Sequence, residues 1–338
     1  MKTQLMARSP AKLVLSGEHA VVYGNPAIAM AIDCYAESTI LSSLTPAILF
    51  NFLNFHYAKS FTLQTLNVLK KRLQDKYHAF LEGQCGIRDV LKRPFELLQY
   101  TVTDLLETWN ISLSQGLEIR ASSDIPMGCG MGSSAALVMS TLYALLHFLK
   151  LEIDPGRILY LGRQAENLQH GYSSGLDLHL VMKGGCLRFE KGQTKQRPIP
   201  NIPLSIVQTG RPKSTTGQCV SAVADQFKFT TIGNDFSSVT EAFDEALQRN
   251  DIKDLQECIR ENHRLLVKIG VVPTRIQEFI TAIEREGGAA KICGAGSVRG
   301  DNAGVVLIVS ERDLSPAVQN HGYALQTVRG DVRGTHVL

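Results

Sequence analysis

The chain has 338 residues, 44% of them hydrophobic, and a formal net charge of +3 at pH 7. This length exceeds what one hydrophobic core usually organises, so we predict two domains. The net charge is small for the length, and no Lys/Arg block alternates with aromatic residues, which argues against a nucleic-acid partner. A small anionic ligand is compatible with this composition.

Membrane and metal-centre classes also lack support in the sequence. The apolar runs are too short to span a bilayer and the N-terminus lacks the apolar core of a signal peptide, so we expect a cytoplasmic protein with no membrane partner. Seven cysteines are scattered without a CxxC spacing, and the nine histidines form no HExxH arrangement. We therefore predict reduced thiols, with neither a disulfide framework nor a transition-metal centre.

The hydrophobic spacing of the first half predicts strands followed by helices. The predicted strands lie at residues 11–16, 27–38 and 186–189, and the predicted helices at about 61–81, 94–109, 133–148 and 155–169. Pro94 and Pro155 suit the first turn of their helices, because proline lacks a backbone N–H that an N-terminal position leaves free anyway.

In the second half, strands are predicted at residues 203–209, 289–293, 304–310 and 323–329, and helices at about 216–226, 235–249, 251–268 and 273–286. A polar, proline-containing stretch after residue 190 reads as a linker. We therefore predict an N-terminal domain over residues 1–190 and a C-terminal domain over residues 191–338.

Three alternate glycines and two serines stand directly before the helix predicted at 133–148: Gly128, Gly130, Gly132, Ser133 and Ser134. Glycine can take positive φ and turn backbone N–H groups toward one point, where the following helix also directs the positive end of its dipole. The alternative is a plain serine-capped turn. Three glycines in this spacing favour a phosphate-binding loop instead.

A second glycine-rich turn, at residues 294–300, precedes the β-branched run 304–309. A dinucleotide-binding glycine turn must open a helix, so this strand-turn-strand pattern argues against NAD binding and suits close approach to another loop or a ligand. The sequence also contains no GxxxxGK[ST] and no protein-kinase HRD or DFG element.

Five segments together resemble one family. Residues 10–27 (PAKLVLSGEHAVVYGNPA), 126–136 (PMGCGMGSSAA) and 291–297 (KICGAGS) are similar, in order, to the three motifs of the GHMP kinases. Residues 170–177 (HGYSSGLD) resemble the HGxPSGxD element of the mevalonate kinases within that family, and residues 211–215 (RPKST) resemble their PRST-like segment.

This resemblance implies a two-domain α+β fold, with an N-terminal domain like ribosomal protein S5 domain 2 and a ferredoxin-like C-terminal domain. It implies an active site between them, ATP as phosphoryl donor, Mg²⁺ as cofactor and a homodimer. The implied reaction is phosphorylation of the 5-hydroxyl of mevalonate to 5-phosphomevalonate, a step of isoprenoid synthesis.

The resemblance also assigns four side chains to the transfer step. Asp177, predicted in a glycine-relieved turn, would be the catalytic base that accepts the hydroxyl proton early or only steers it. Lys12, in an otherwise apolar strand, would face inward and keep the Asp177 carboxylate ionised. Glu166 and Ser134 would hold Mg²⁺, although a lone helix glutamate is usually solvated.

The remaining implied residues bind the two substrates. Those for ATP are Gly128, Gly130, Met131, Gly132, Ser133 and Ser134. Glu18 and His19 would face the acceptor from the turn after the first strand, and Thr215 from the second domain, where Lys213 would suit a carboxylate. Ser214 equally suits a helix cap.

The chain departs from the family pattern at two places. Ser173 replaces the usual proline of HGxPSGxD, which should be tolerated. Val298 and Arg299 place side chains where glycines normally allow close backbone approach to the phosphate loop, so that loop is either reshaped or gains charge from Arg299. Residues 44–109 carry no motif that helps to identify the acceptor.

Two alternatives stay open at this point. The same chemistry could act on a sugar or on phosphomevalonate, because the phosphate-binding motifs are shared across the family; residues 20–24 (AVVYG) favour mevalonate over the galactokinase pattern. The chain could instead be a non-catalytic binding protein with a kinase fold. Retention of base and metal ligand together argues against that alternative.

Overall fold

The computed structural model describes residues 4–93 and 95–338. The strands of the first half are β1 (Gln4–Ser16), β2 (Ala27–Ser43), β3 (Ile48–Phe52), β4 (Tyr57–Phe61), β5 (Gly116–Ser123), β6 (Cys186–Glu190) and β7 (Gln193–Arg197). Its helices are α1 (Leu63–Leu81), α2 (Glu96–Thr108), α3 (Ser133–Phe148), α4 (Pro155–His170) and α5 (Leu176–Lys183). The predicted helix start at Pro94 lies outside the described residues.

The second half supplies another set of strands and helices. The strands are β8 (Leu204–Gln208), β9 (Ala289–Cys293), β10 (Val305–Val309), β11 (Leu325–Val328) and β12 (His336–Val337). The helices are α6 (Thr216–Phe229), α7 (Ile232–Arg249), α8 (Ile252–Lys268), α9 (Thr274–Arg285) and α10 (Ser315–Asn320). Among the described residues, none of the helices has the length and apolar character needed to cross a bilayer.

Several helix starts follow directly from local sequence. The Asp154 carboxylate accepts hydrogen bonds from the backbone N–H groups of Gly156 and Arg157, and Pro155 occupies the first position of α4. The Asp251 carboxylate caps α8 in the same way. These caps satisfy amides that have no partner inside the helix, and the α4 start, predicted from Asp154 and Pro155, is confirmed.

Two sheets organise these elements. The larger sheet has the order β12-β1-β2-β5-β3-β4, and β6 with β7 extends it from the beginning of β2. The smaller sheet has the order β11-β8-β10-β9 and is antiparallel throughout. Helix α3 lies against β1 and β2, so the glycine-rich turn that precedes α3 is held beside β1.

The buried core crosses from one sheet to the other. Leu13 and Met30 of the larger sheet belong to the same apolar cluster as Phe243 of α7 and Leu307 of β10. In addition, β7 and β12 pair with strands of the larger sheet although both come after residue 190. The domain boundary at residue 190 therefore stays a prediction.

The sequence patterns missed several elements. The hairpin of β3 and β4, strands β5 and β7, helix α10 and the short strand β12 were not predicted. Helix α5 was also missed: residues 176–183 are helical, so Asp177 lies in the first turn of a helix rather than in an irregular turn. Gly175, at φ 86°, ends the preceding turn and begins this helix.

Candidate active site

The glycine loop between β5 and α3 has the conformation that the sequence predicts. Gly128, Gly130 and Gly132 have φ values of 71°, 84° and 72°. Gly132 is the N-terminal cap of the 16-residue helix α3, and no side chain of the described residues caps that helix. Its first backbone amides are therefore free to bind an anion, and the helix dipole favours one there.

Strand β1, the glycine loop and α5 meet at Lys12. The backbone N–H of Lys12 donates to the carbonyl of Met131 at 3.0 Å, which fixes the loop to the strand. The Lys12 Nζ lies 3.0 Å from Asp177 Oδ1, and a Cβ on Gly132 would come within 2.8 Å of Lys12 Cγ. Only glycine therefore leaves room for this buried lysine beside the loop.

Asp177 keeps access to solvent while Lys12 does not. The side chain of Asp177 is 29% exposed and that of Lys12 is 8% exposed. Asp177 Oδ1 faces the ammonium, whereas Oδ2 lies on the Gly132 side, 3.6 Å from the position that a Cβ on Gly132 would take. One carboxylate oxygen is thus oriented by a cation, and the other faces the phosphate-binding loop.

Glu166 of α4 is buried beside this pair. Burial raises the pKa of Glu166, and the nearby Asp177 carboxylate adds to this effect, while nearby His170, the Ser134 hydroxyl and Lys12 act to lower it. Its Oε2 lies 3.6 Å from His170 Nε2, and its buried Oε1 has no hydrogen-bond partner among the described residues. An unsatisfied buried carboxylate oxygen needs a cation or a donor.

Two hard oxygen donors, the carboxylate of Glu166 and the hydroxyl of Ser134, are thus close together next to the glycine loop. This set fits Mg²⁺, which usually takes one or two protein oxygens and completes its shell with water and substrate phosphates. The described residues contain no group of three or more His, Cys, Asp or Glu side chains able to hold a metal. A site of this kind depends on the nucleotide for the rest of its ligands.

Glu18, which the resemblance assigns to the acceptor side, is buried in contacts with protein groups. Its side chain is 1% exposed and forms an ion pair with Lys291 of β9, which is itself fully buried. Its second oxygen accepts a hydrogen bond from Asn262 Nδ2 at 2.9 Å. Both oxygens are therefore occupied by protein groups, and Glu18 connects the turn after β1 to β9 and α8.

His19 also contacts the third-motif turn. Its Nε2 donates to the Ala295 carbonyl at 3.0 Å, because a carbonyl oxygen can only accept. Burial lowers the pKa of His19 to about 4, so the ring is neutral at pH 7 with Nδ1 as an acceptor. That Nδ1 is buried without a partner among the described residues, and the backbone φ of 60° is unusual for a non-glycine residue.

Thr215 has a structural partner. It is the N-terminal cap of α6 and forms a capping box with Gln218, so the sequence expectation that Ser214 could cap this helix is wrong. The backbone N–H of Ser214 instead donates to Ser297 Oγ at 3.2 Å. Thr215 is half-buried, and its hydroxyl already accepts a hydrogen bond from the Gln218 amide.

Arg211 is a site residue that motif reasoning quoted but did not assign. Its Nε would lie 3.4 Å from a Cβ on Gly128, so an exposed guanidinium lies over the beginning of the glycine loop. Lys213 packs its aliphatic stem on Gly300, where a Cβ would meet the lysine Cδ at 2.7 Å. The sequence indicated Arg211 and Lys213 only through their place in the RPKST segment.

The third-motif turn contacts the glycine loop through backbone atoms. A Cβ on Gly294 would lie 2.9 Å from Gly130 Cα, and one on Gly304 would lie 2.7 Å from the Cys129 carbonyl oxygen. Close approach is thus made by the glycines at the two ends of the turn. Val298 and Arg299 lie between them, and Arg299 is exposed.

Residues 44–109, which carry no recognisable motif, support the turn before Asp177. Tyr77 of α1 donates its hydroxyl to the Gly171 carbonyl at 2.7 Å, and a Cβ on Gly171 would meet the Phe80 ring at 2.8 Å. Arg88 donates to Gln218 Oε1 at 3.2 Å, which connects this segment to the start of α6. A separate groove of about 790 Å³ between α1, α2 and α4 contains none of the candidate catalytic residues.

Comparison with known proteins supports the resemblance to the GHMP kinases. The family model described as GHMP kinases N terminal domain matches residues 96–185, and GHMP kinases C terminal matches residues 244–298. A mevalonate kinase of Thermococcus sibiricus is 30% identical over 312 residues, which covers 87% of this chain and 86% of the relative. That of Methanocaldococcus jannaschii is 28% identical and covers 91% of this chain and 93% of the relative.

A solved structure agrees with these relatives. The crystal structure of the Methanococcus jannaschii mevalonate kinase matches with a TM-score of 0.81 and 25% identity, over 98% of this chain and 99% of that one. The resemblance inferred from the motifs and the predicted two-domain architecture are confirmed. The chain belongs to the GHMP kinase family, within which these relatives are mevalonate kinases.

Proposed function

We propose that this protein transfers the γ-phosphoryl group of ATP to the 5-hydroxyl of mevalonate, giving 5-phosphomevalonate and ADP. One observation carries the proposal: the Lys12 ammonium and the Asp177 carboxylate, 3.0 Å apart, lie beside the open N-terminus of α3. The names of the relatives support mevalonate as the acceptor.

The glycine loop would bind the phosphates of ATP. Gly128, Gly130, Met131, Gly132, Ser133 and Ser134 form this loop and the first turn of α3. Backbone amides and the helix dipole are fixed in place before the nucleotide arrives, so no reorganisation is needed as charge moves during transfer. The exposed Arg211 guanidinium over Gly128 adds a cation at the same place.

Asp177 would act on the acceptor hydroxyl. Its Oδ2, on the loop side, is free to take the hydroxyl proton as the oxygen bonds to the γ-phosphorus and the bond to the ADP oxygen breaks. Lys12 orients the carboxylate through Oδ1 and stabilises negative charge on the attacking oxygen. Phosphoryl transfer needs mainly positioning and charge stabilisation, which this arrangement supplies.

Glu166 and Ser134 would hold Mg²⁺. Bound there, the ion would offset the charge of the β- and γ-phosphate oxygens. The chain's own contribution is a buried, unpartnered Glu166 oxygen kept in place by helix α4.

We assign acceptor recognition from the first motif to His19, whose buried Nδ1 has no hydrogen-bond partner among the described residues. Its neutral ring offers the unpartnered Nδ1 as an acceptor for a substrate hydroxyl. We assign Glu18 and Thr215 supporting contacts, through Lys291 and the α6 cap respectively. The cytoplasmic location and the homodimer stay predictions from the sequence.

An acceptor panel tests the proposal. ADP release would be measured with ATP and Mg²⁺ and, in turn, mevalonate, phosphomevalonate, galactose and homoserine, with an acceptor-free reaction as the control for plain ATP hydrolysis. We expect mevalonate to give the highest kcat/KM. A higher value for another acceptor would reassign the substrate, and ADP release in no reaction would refute the enzyme assignment.

A further inference from the structure

The last ten residues of the chain return from the smaller sheet to the larger one. After β11, the backbone N–H of Asp331 donates to the Ala31 carbonyl at 2.8 Å, and the Gly185 N–H donates to the Asp331 carbonyl at 2.6 Å. The β12 strand then pairs with β1, Val337 opposite Ala7. The end of the chain is thus part of the sheet that carries Lys12.

This C-terminal tail, residues 329–338, is also pressed against the end of α5. The Thr335 N–H donates to the Met182 carbonyl at 3.2 Å. A Cβ on Gly334 would lie 2.3 Å from that same carbonyl oxygen, and a Cβ on Gly184 would lie 2.4 Å from the Gly334 nitrogen. Backbone approach this close requires glycine on both sides, so the contact is specified by sequence.

The Thr335 hydroxyl joins two elements at one atom. It donates to the Val181 carbonyl of α5 at 2.9 Å, and it lies 2.6 Å from Ser9 Oγ of β1. A hydroxyl has one proton and the carbonyl can only accept, so Ser9 must be the donor to Thr335. All three groups are buried: Ser9 is 0%, Thr335 5% and Val181 0% exposed.

The two elements joined in this way carry the proposed catalytic pair. Ser9 precedes Lys12 by three residues on β1, and Val181 follows Asp177 by four residues, about one helical turn, on α5. The Thr335 hydroxyl therefore links β1, which carries Lys12, to α5, which carries Asp177. The ion pair between Lys12 and Asp177 is a second link between the same two elements.

We propose that Thr335 is a positioning residue for the Lys12–Asp177 pair, its hydroxyl fixing β1 against α5 so that the Asp177 carboxylate meets the acceptor hydroxyl in line with the phosphoryl group. This inference rests on the function proposed above. Thr335 touches neither substrate in this role. Its loss lowers the rate of the chemical step and leaves nucleotide binding at the glycine loop intact.

Thr335→Val, which keeps the shape and removes the hydroxyl, is the test. We expect kcat to fall about tenfold, as small misplacements of a reacting group do, with KM for ATP changed less than about twofold. Thr335→Ser keeps the hydroxyl and should restore kcat to within about twofold of the wild-type protein. Both kcat and KM would be measured by ADP release with mevalonate and Mg²⁺.

Thr101→Val is the matched control for stability. Thr101 is 1% exposed, and its hydroxyl donates only within α2, to the Leu97 carbonyl at 2.9 Å. Its denaturation midpoint should fall as that of Thr335→Val does, while its kcat stays unchanged. A kcat loss in Thr101→Val that matches its loss of stability would make the Thr335 effect merely structural and overturn the inference.

Two further outcomes separate this inference from the proposed function. If Thr335→Val retained full kcat while Asp177→Asn was inactive, the positioning role would be refuted and the catalytic pair would stand. If Asp177→Asn retained full kcat, the catalytic pair itself would be refuted, and the positioning role with it. Equal kcat losses in Thr335→Val and Thr335→Ser would also overturn the role of the hydroxyl.

Discussion

The two glycine turns of this protein use the same residue type for different purposes. In the glycine loop, residues 128–132, positive φ values direct the chain into α3 with its first amides uncapped. In the third-motif turn, residues 294–304, each glycine faces protein atoms: Gly294 and Gly304 face the glycine loop, Gly296 the Val271 carbonyl and Gly300 the Lys213 side chain. The glycines of the first turn also contact protein atoms, but that turn leaves the first amides of α3 open to a ligand, and the second turn supports the first.

This difference bears on the departure of the second turn from the family pattern. Val298 and Arg299 replace glycines between the two points of backbone contact, not at them. Two further contacts hold the second turn in place: the hydrogen bond from His19 to the Ala295 carbonyl and the Glu18–Lys291 ion pair. Stability should therefore depend on the second turn and its partners, and ligand binding on the first.

The largest effect on stability is expected from Lys291→Met. It leaves the Glu18 carboxylate buried without its cation, and breaking a buried ion pair from one side costs about 3–5 kcal/mol. Adding Glu18→Gln removes the stranded charge and keeps an acceptor for Asn262, so the double variant should recover more than half of the loss. Urea denaturation measures both, and a single variant as stable as the wild-type protein would contradict the account.

The contact between the two turns can be broken at Gly130. Gly130→Ala should cost about 1–2 kcal/mol for positive φ, with an added clash against the Cys293 carbonyl. It should also weaken ATP binding about tenfold, or about 1.4 kcal/mol. Gly192→Ala is the matched control, because its φ of 83° is nearly the 84° of Gly130 and a Cβ there meets no described atom within 4 Å. Equal effects of the two substitutions on ATP affinity would refute the backbone contact.

The histidines behind the second turn predict a pH dependence. Burial lowers the pKa of both His19 and His263 to about 4, with Lys291 and Arg264 adding to the effect at His263. The unfolded chain then binds more protons between pH 6.5 and 4, so the unfolding free energy falls as pH drops through that window. Each histidine contributes at most about 1.4 kcal/mol per pH unit.

Denaturation at several pH values tests this dependence. His19→Asn and His263→Asn should each flatten the slope between pH 6.5 and 4 and leave it unchanged above pH 7. An unaltered slope in both variants would show that neither ring is held neutral by burial.

The smallest effect is expected at Arg299. Arg299 is exposed and lies between the two backbone contacts, so Arg299→Ala should change the unfolding free energy by less than about 0.5 kcal/mol. It should change KM for ATP less than about twofold. A larger rise in KM, measured across salt concentrations, would show that the Arg299 charge acts on the phosphates. It would contradict the claim that the second turn only supports the first.

The sequence predicted the parts of the site that local chemistry specifies. Alternating glycines before an apolar periodic run identified the glycine loop. A lysine in an otherwise apolar strand drew attention to Lys12, and the family resemblance implied that it faces inward. The partners of Glu18 could not be read in this way, because Lys291 is 273 residues away and a buried ion pair leaves no periodic signal. Helix α5 was missed because Gly175 and two serines directly precede it, and these residues locally predict a turn.

The central claim is that Asp177, oriented by Lys12, acts on the acceptor hydroxyl at the glycine loop. The most direct test is Asp177→Asn, which preserves the side chain's size, assayed for turnover with mevalonate and for ATP binding in parallel. We predict a loss of turnover of about 10²–10⁴-fold with ATP affinity nearly unchanged, because the nucleotide is held by α3 and the loop. Turnover like that of the wild-type protein in this variant would contradict the claim.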